Sequence, residues 1–281
     1  MNRVKLFSAA VVLAAIGFTS CGSNEEKKEE APAPTTAAAP ALKEETVTIQ
    51  ADGASLVSFL VYDDSVKTKR PAILVVPEWW GLTEYAKRRA RELSQLGYVA
   101  LALDVYGDGK QADNPDSAGK FATPFYMHPE KAKARIDAAI AKLKTLPNVD
   151  TANIGAIGYC FGGGILINTA RLGDPDLKAL VSFHGSLLGT PARKDLLKTK
   201  LLVLHGNADP LVNPQVAQFK KQMDSIGADY KFIGYDSALH AFTNPDATEL
   251  GKKFKMPIAY NAAADTASWK EMKTFFGNVL K

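Results

Sequence analysis

The chain has 281 residues, of which 46% are hydrophobic and 23% charged, so it has enough apolar side chains to bury a large core. Its 34 basic and 30 acidic residues leave a net charge of +4 and are spread along the sequence without a Lys/Arg block. This composition excludes a chain that is disordered throughout, and it gives no indication of nucleic-acid binding.

The N-terminal segment has the features of an export signal. Two basic residues precede the apolar run LFSAAVVLAAIGF at residues 6–18, which is too short to span a bilayer. Two small residues then stand immediately before Cys21. The stretch FTSC resembles the lipobox of bacterial lipoprotein signal peptides, which implies a signal peptide over residues 1–20 and lipidation of Cys21. The alternative is an ordinary secretory signal with an incidental cysteine, and both interpretations predict an exported protein.

Residues 21–45 are predicted to be a solvated, semi-extended tether. The stretch is first charged and then rich in Ala, Pro and Thr, and it has no apolar periodicity. We expect the folded domain to occupy residues 46–281. With a lipid on Cys21, the tether would hold this domain near a membrane in the bacterial periplasm or at the outer membrane.

From residue 46 onward, short apolar strands alternate with amphipathic helices. The segments TVTIQ and SLVSFLVY alternate polar and apolar residues, which predicts a strand pair at the start of the domain. AILVVPEWWG and YVALALDVYG are apolar runs typical of strands buried on both faces, and the helix EYAKRRARELSQLG lies between them. Residues 108–129 contain turn residues and little periodicity, so we predict a long excursion over the surface.

The same alternation continues to the end of the chain. Helix EKAKARIDAAIAKLKTL precedes strand NIGAIGY, a helix follows Phe161, and strands ALVSFHG and KLLVLHG come next. Helix QVAQFKKQMDSIG, strand YKFIGY and the final helix ADTASWKEMKTFFGNVL complete the pattern. This order predicts a mostly parallel sheet with helices on both faces. The fold class is therefore α/β, and about 235 residues of this kind indicate one domain.

Gly158-Tyr159-Cys160-Phe161-Gly162 lies between a predicted buried strand and a helix. It has the Gly-x-nucleophile-x-Gly form of a tight turn, in which a Cβ at either glycine would collide with the neighbouring strand or helix. Such a turn lifts the Cys160 side chain clear of the sheet and directs the following helix N-terminus toward it. The helix amides and dipole favour the thiolate, which is the reactive form of cysteine. The amide of Phe161 is then placed to bind a developing oxyanion.

Two other interpretations of this stretch stay open at the level of sequence. Glycine-rich turns between a strand and a helix also bind phosphates, and an isolated cysteine is most often a small buried hydrophobe. A disulfide is disfavoured, because the chain has two cysteines and lipidation of Cys21 would leave Cys160 without a partner. A lone thiol in an exported protein is exposed to oxidation, which favours a functional reason for its presence.

A nucleophile in this kind of sheet requires an acid and then a histidine further along the chain. Asp209, in the turn HGNADPLV, is the candidate acid, and the alternative is a turn aspartate that caps the next helix. His240, in the loop DSALHAFTNP, is the only histidine after Asp209 and is the candidate base. His184 and His205 end buried strands and either support the fold or line the pocket. His128 is expected at the start of a helix.

Five motifs in this order resemble the dienelactone hydrolase family of α/β-hydrolases, over about residues 47–280. They are PEWWGL (77–82), GYCFGGG (158–164), HGNADPLV (205–212), HAF (240–242) and YNAAADTASWKEMKTFF (260–276). The resemblance implies an α/β-hydrolase fold and a triad of Cys160, His240 and Asp209.

The resemblance also implies roles for residues around the triad. Glu78 would contact the resting thiol and help to activate it when substrate arrives. The backbone amide of Trp79 would be the second oxyanion donor beside that of Phe161. We expect the substrate pocket to be lined by Trp80, Tyr159 and Phe242.

The expected reaction is acyl transfer from a small-molecule ester or lactone to Cys160, followed by hydrolysis of the thioester. A thiolate leaves more readily than an alkoxide, so activated esters, enol lactones and thioesters are favoured over peptides. No cofactor or metal is expected, because no His/Cys/Asp cluster has ligand spacing. Family members that act on dienelactone bind its carboxylate with a cationic clamp, for which only Lys110 and Lys120 are candidates here. The alternatives are a thioesterase or acyltransferase with the same triad, and a lipoprotein that only binds a ligand.

Overall fold

The computed structural model describes residues 40–281, and its centre is one sheet of eight strands. The strands are β1 (Leu42–Ala51), β2 (Ala54–Asp63), β3 (Arg70–Val76), β4 (Val99–Ala102), β5 (Val149–Tyr159), β6 (Ala179–Phe183), β7 (Lys200–Gly206) and β8 (Tyr230–Tyr235). The helices are α1 (Glu84–Gln95), α2 (Pro115–Met127), α3 (Pro129–Lys144), α4 (Phe161–Leu172), α5 (Asn213–Ile226), α6 (Ala247–Phe254) and α7 (Ala262–Val279).

The spatial order of the strands is β1-β2-β4-β3-β5-β6-β7-β8. β1 and β2 form an antiparallel pair, and β2 is antiparallel to β4, whereas all later neighbours are parallel. The inner strands β3 and β6 are buried almost throughout because both of their faces are covered, whereas the edge strand β8 is half-exposed. The predicted α/β-hydrolase architecture is therefore confirmed.

Helices cover the sheet on both sides, and successive strand residues point to opposite layers. On β3, Leu74 and Val76 pack into a core with α2, α3, α4 and α5, whereas Ile73 and Val75 pack into a second core with α1 and α7. This is the two-residue period of a pleated strand. The carboxyl ends of the parallel strands meet at one edge of the sheet, where the loops that carry the candidate site lie.

Two helices differ from the expected element pattern. The surface excursion predicted for residues 108–129 contains α2, which begins after Asn114, whose side chain accepts a hydrogen bond from the Ser117 amide at 3.0 Å. Its sequence includes Gly119 and Pro124, which weakens the helical pattern, and tertiary burial of one face offsets this weakness. The short helix α6 was not predicted either.

The folded domain begins earlier than the expected boundary at residue 46. β1 starts at Leu42 and pairs with Asp63 of β2, so residues 42–45 belong to the sheet and not to the tether. The predicted signal peptide at 1–20, Cys21 and the tether up to residue 39 lie outside the described residues. Among the helices of residues 40–281, none combines the length and apolar character that a membrane crossing requires.

Candidate active site

Cys160 occupies a strained turn between β5 and α4. Its backbone has φ 51° and ψ −113°, and residues other than glycine rarely adopt such a positive φ. A Cβ on Gly158 would lie 2.4 Å from the carbonyl carbon of Gly162, and one on Gly162 would lie 2.3 Å from the carbonyl oxygen of Val76. Both positions therefore require glycine, for the steric reason expected from the sequence.

The side chains of Cys160, His240 and Asp209 form one hydrogen-bonded row. His240 Nε2 lies 3.0 Å from Cys160 Sγ, and His240 Nδ1 lies 2.7 Å from Asp209 Oδ2. The other oxygen of Asp209 accepts hydrogen bonds from the amides of Leu211 at 2.8 Å and Val212 at 3.2 Å. Asp209 thus holds its own turn with one oxygen and orients the imidazole with the other, and it does not cap α5, whose N-cap is Val212 without a side-chain hydrogen bond.

The environment of His240 favours its protonated form. Burial acts to lower the pKa of His240, but the adjacent Cys160 sulfur and the Asp209 carboxylate outweigh burial and raise that pKa well above its ordinary value. A protonated imidazole beside the sulfur stabilises a negative charge there. The imidazole is therefore placed to exchange a proton with the Cys160 sulfur.

Glu78 follows β3 and lines the same cavity as Cys160. It is 4% exposed, and its Oε2 accepts a hydrogen bond from the side-chain amide of Asn244 at 2.7 Å. Burial raises the pKa of Glu78 to about 7, although the Asn244 hydrogen bond and the charge of His240 act in the opposite direction. A carboxyl group of this kind exchanges its proton near neutral pH.

Two backbone amides of this site are candidate oxyanion donors, and they directly follow Glu78 and Cys160 in the chain. Within residues 40–281, the N–H groups of Trp79 and Phe161 have no hydrogen-bond acceptor in the chain. Phe161 is the first residue of α4, so its amide also carries the partial positive charge of the helix N-terminus. The hydroxyl of Tyr106 donates to the Trp79 carbonyl at 2.9 Å, which fixes the peptide between Trp79 and Trp80.

His184 supports the Cys160 turn from behind. Its Nδ1 accepts a hydrogen bond from the Cys160 amide at 3.1 Å, and its Nε2 lies 2.8 Å from the Thr243 hydroxyl. That hydroxyl lies 2.7 Å from the hydroxyl of Tyr85. Burial, followed by the charge of His240, lowers the pKa of His184 well below its ordinary value, so the ring stays neutral. Of the two roles left open for it, His184 has the structural one.

The remaining histidines lie away from the sulfur. His205 is buried, and its Nε2 is 2.6 Å from Asn213 Oδ1. His128 stands between α2 and α3 and precedes α3, as expected of a residue at a helix start.

A cavity of about 390 Å³ opens beside Cys160. Its lining residues are Glu78, Trp79, Trp80, Tyr126, Cys160, Ser186, Leu211, Val212, Gln215, His240, Ala241, Met256, Pro257 and Ile258. Within residues 40–281, no group of three or more His, Cys, Asp or Glu side chains is arranged to hold a metal ion.

Of the three residues expected to line this pocket, Trp80 does so and two do not. Tyr159 is fully buried and stacks on Phe183 with ring centroids 4.8 Å apart, on the side of the sheet that faces α1. Phe242 is also fully buried, between His184 and Tyr235. The prediction was wrong for both because proximity in sequence to a site residue does not determine which face of the chain a side chain takes.

The segment 108–129 contributes Tyr126 of α2 to the cavity wall. Neither lysine considered as a carboxylate clamp lies there. Lys110 is exposed and forms an ion pair with Asp108 at 2.9 Å, and Lys120 is exposed and not among the lining residues.

Comparison with known proteins gives a consistent set of relatives. A sequence model described as the dienelactone hydrolase family matches residues 57–280. A protein of Aquifex aeolicus (strain VF5) assigned as a carboxymethylenebutenolidase is 28% identical over 228 residues, which cover 78% of this chain and 93% of the relative. A Bradyrhizobium sp protein assigned as a 2-oxo-3-(5-oxofuran-2-ylidene)propanoate lactonase is 27% identical over 208 residues, 70% of this chain and 82% of the relative.

Among solved structures, the chain is similar to a dienelactone hydrolase-like promiscuous phosphotriesterase from metagenomic libraries. The two share 31% sequence identity with a TM-score of 0.79, over 86% of this chain and 100% of that chain.

Proposed function

The chain belongs to the dienelactone hydrolase family and is a hydrolase of ester or lactone bonds, and we propose that Cys160, His240 and Asp209 form its catalytic triad. One geometric observation supports this triad most directly. The imidazole of His240 bridges the Cys160 sulfur at 3.0 Å and the Asp209 carboxylate at 2.7 Å, which is the arrangement of nucleophile, base and orienting acid.

In the first half of the proposed reaction, the Cys160 thiolate attacks the substrate carbonyl carbon and forms a C–S bond. The negative charge that develops on the carbonyl oxygen is stabilised by the amides of Trp79 and Phe161. The bond between the carbonyl carbon and the leaving oxygen then breaks, and His240 donates its proton to that oxygen. The product is a thioester on Cys160 and a free alcohol or enol, which in a lactone remains part of the same molecule.

In the second half, neutral His240 removes a proton from water, and the oxygen of that water attacks the thioester carbonyl. The C–S bond breaks, the acid product leaves, and the proton on His240 restores the pair with the thiolate. When the resting sulfur is a protonated thiol, Glu78 takes up its proton as the thiolate forms, and that proton then goes to the leaving oxygen in place of the one from His240. The Glu78 pKa of about 7 supports this role, because the carboxylate form is then available at neutral pH.

A turnover panel with trapping of the intermediate tests this proposal. Wild-type protein is incubated with an activated aryl ester, an enol lactone, an acyl thioester and a neutral phosphotriester, and Cys160→Ala provides the uncatalysed background. We expect turnover of the ester or lactone and, on rapid acid quenching, an acyl adduct on the Cys160 peptide by mass spectrometry. The phosphotriester is included because the related structure is described as a phosphotriesterase.

The same panel separates the alternative functions. A thioesterase would prefer the acyl thioester, and an acyltransferase would form a new ester when an alcohol is added. Wild-type rates equal to those of Cys160→Ala on every substrate would contradict the proposal and leave the ligand-binding lipoprotein as the better interpretation.

We further propose that the protein acts outside the cytoplasm, attached to a membrane by a lipid on Cys21. The sequence supports this, since an apolar run of signal-peptide length precedes the FTSC stretch. When the full chain is expressed in a bacterium with labelled palmitate, we expect label on the protein and recovery in the membrane fraction. Cys21→Ser should lose both, whereas Cys160→Ala should keep both. Membrane recovery and labelling of Cys21→Ser would contradict the anchor.

A further inference from the structure

The cavity beside Cys160 offers no free cation to a substrate. None of its lining residues, all within residues 40–281, is Lys or Arg, and the ionisable members are Glu78, Tyr126, Cys160 and His240. The imidazole of His240 already lies between the Cys160 sulfur and the Asp209 carboxylate. A substrate carboxylate that entered the cavity would therefore lack the charged hydrogen-bond donor that normally binds such a group in proteins.

The acidic groups of the cavity oppose a carboxylate more actively. The Glu78 carboxylate accepts its hydrogen bond from Asn244, an uncharged amide, so no cation neutralises it at hydrogen-bond distance. The nucleophile is also negative in its reactive form, and the adjacent His240 cation is already paired with that sulfur and with the Asp209 carboxylate. In a cavity of about 390 Å³, like charges lie only several Å apart, and at a low effective dielectric each repulsion lowers binding by about tenfold or more.

The mouth of the cavity is apolar. The exposed large hydrophobic side chains of the described residues are Leu96, Tyr126, Met127, Leu188 and Leu211, and two of these five, Tyr126 and Leu211, line the cavity. The backbone amide of a third, Leu188, donates to the lining residue Gln215 at 3.1 Å. Exposed apolar side chains that surround an apolar cavity favour ligands with extended apolar groups.

We propose that this site selects uncharged esters or lactones with an apolar acyl group and discriminates against substrates that carry a carboxylate. This inference rests on the proposed function and narrows its substrate class. The proposed substrate preference differs from that of the relative assigned as a carboxymethylenebutenolidase, whose name specifies a substrate with a carboxymethylene group.

A matched set of aryl esters tests the inference. p-Nitrophenyl hexanoate, the mixed methyl p-nitrophenyl ester of adipic acid, and p-nitrophenyl hydrogen adipate share a leaving group and differ at the far end of the acyl chain. At about pH 8 we expect kcat/KM for the two neutral esters to exceed that for the acid by at least about tenfold. Equal values, or a preference for the acid, would overturn the inference even if all three esters are hydrolysed.

A charge introduced at the cavity mouth gives a second test. Leu211 lines the cavity and is 50% exposed, so a longer side chain fits there without displacing the core. Leu211→Arg should raise kcat/KM for the acid relative to the methyl ester by at least about fivefold, whereas the matched neutral variant Leu211→Gln should not. The same change of ratio in both variants would show that lost apolar contact, and not charge, controls selection.

Alkylation of Cys160 gives a readout that does not depend on turnover. Iodoacetamide is neutral and iodoacetate is anionic, and both rates are followed on the Cys160 peptide of the full chain by mass spectrometry. We expect the ratio of the iodoacetamide rate to the iodoacetate rate at Cys160 to be larger than the same ratio for the thiol of glutathione, by about tenfold or more. A ratio equal to that of glutathione, or lower, would overturn the inference. Failure of every ester to turn over would instead contradict the proposed function.

Discussion

Asp209→Asn should lower kcat/KM for an activated ester by about 10³- to 10⁴-fold, with the fold intact. The asparagine oxygen can still accept the hydrogen bonds from the amides of Leu211 and Val212, so the turn is preserved. Its NH₂ group, however, takes the place of the oxygen that lies 2.7 Å from His240 Nδ1. Because an NH₂ group only donates, Nδ1 must become the acceptor, and the ring proton moves to Nε2. Nε2 then carries the only ring proton, so the neutral ring cannot accept a proton from water when the thioester is hydrolysed.

Steady-state kinetics with matched variants measure this effect. Asp236→Asn removes an exposed carboxylate on the loop after β8, where it accepts a hydrogen bond from Asn207 at 2.8 Å, and it should change kcat/KM by less than about twofold. Circular dichroism of both variants checks that the fold is retained. If Asp209→Asn kept more than about a tenth of the wild-type kcat/KM, the orienting role of Asp209 would be contradicted.

The parts of this site that sequence predicts are those set by local geometry or by chain order. The five residues around Cys160 are constrained by one turn, in which both glycines approach backbone atoms too closely for a Cβ. Asp209 and His240 follow β7 and β8, and the carboxyl ends of parallel strands meet at one edge of the sheet. The sequence therefore indicates the elements that carry these side chains before any contact between them is known.

The contacts that sequence does not predict depend on packing between distant segments. The side chain of Asn244 donates a hydrogen bond to Glu78, which lies 166 residues away in the sequence, and nothing in either segment indicates the pairing. Likewise, His184 ends a strand as a core histidine would, and its hydrogen bond to the Cys160 amide becomes visible only when β5 and β6 are aligned. Tyr159 was misplaced although its side chain follows the two-residue alternation of β5, which puts Ile157 and Tyr159 in the core beside α1 and α7.

The effect of Glu78→Gln on the free energy of unfolding should be more stabilising at about pH 8 than at about pH 4.5, by about 3 kcal/mol. Burial raises the pKa of Glu78 from 4.5 to about 7; Asp246 acts in the same direction, whereas Asn244, His240 and Arg89 oppose it. Between these two values the folded protein binds more protons than the unfolded chain, so wild-type stability falls as pH rises. This loss of wild-type stability is absent below about pH 4.5 and complete above about pH 7. Glutamine does not ionise and still offers its oxygen to Asn244, so the variant avoids this loss.

Urea unfolding of wild type and variant at both pH values measures the change. Glu45→Gln provides a control for which the expected pH dependence of the stability change has the opposite sign. The Tyr62 hydroxyl donates to Glu45 at 2.6 Å and lowers the pKa of Glu45, with Lys43 acting in the same direction. Stability from that contact is present at high pH and is lost as pH falls, so Glu45→Gln should be the less stable protein at pH 8, by a small margin because the site is exposed. If the free-energy difference between Glu78→Gln and wild type were the same at both pH values, the Glu78 carboxylate would be solvated by water in the cavity. It would then ionise as an ordinary glutamate does, and burial would give it no proton affinity suited to accepting the thiol proton near neutral pH.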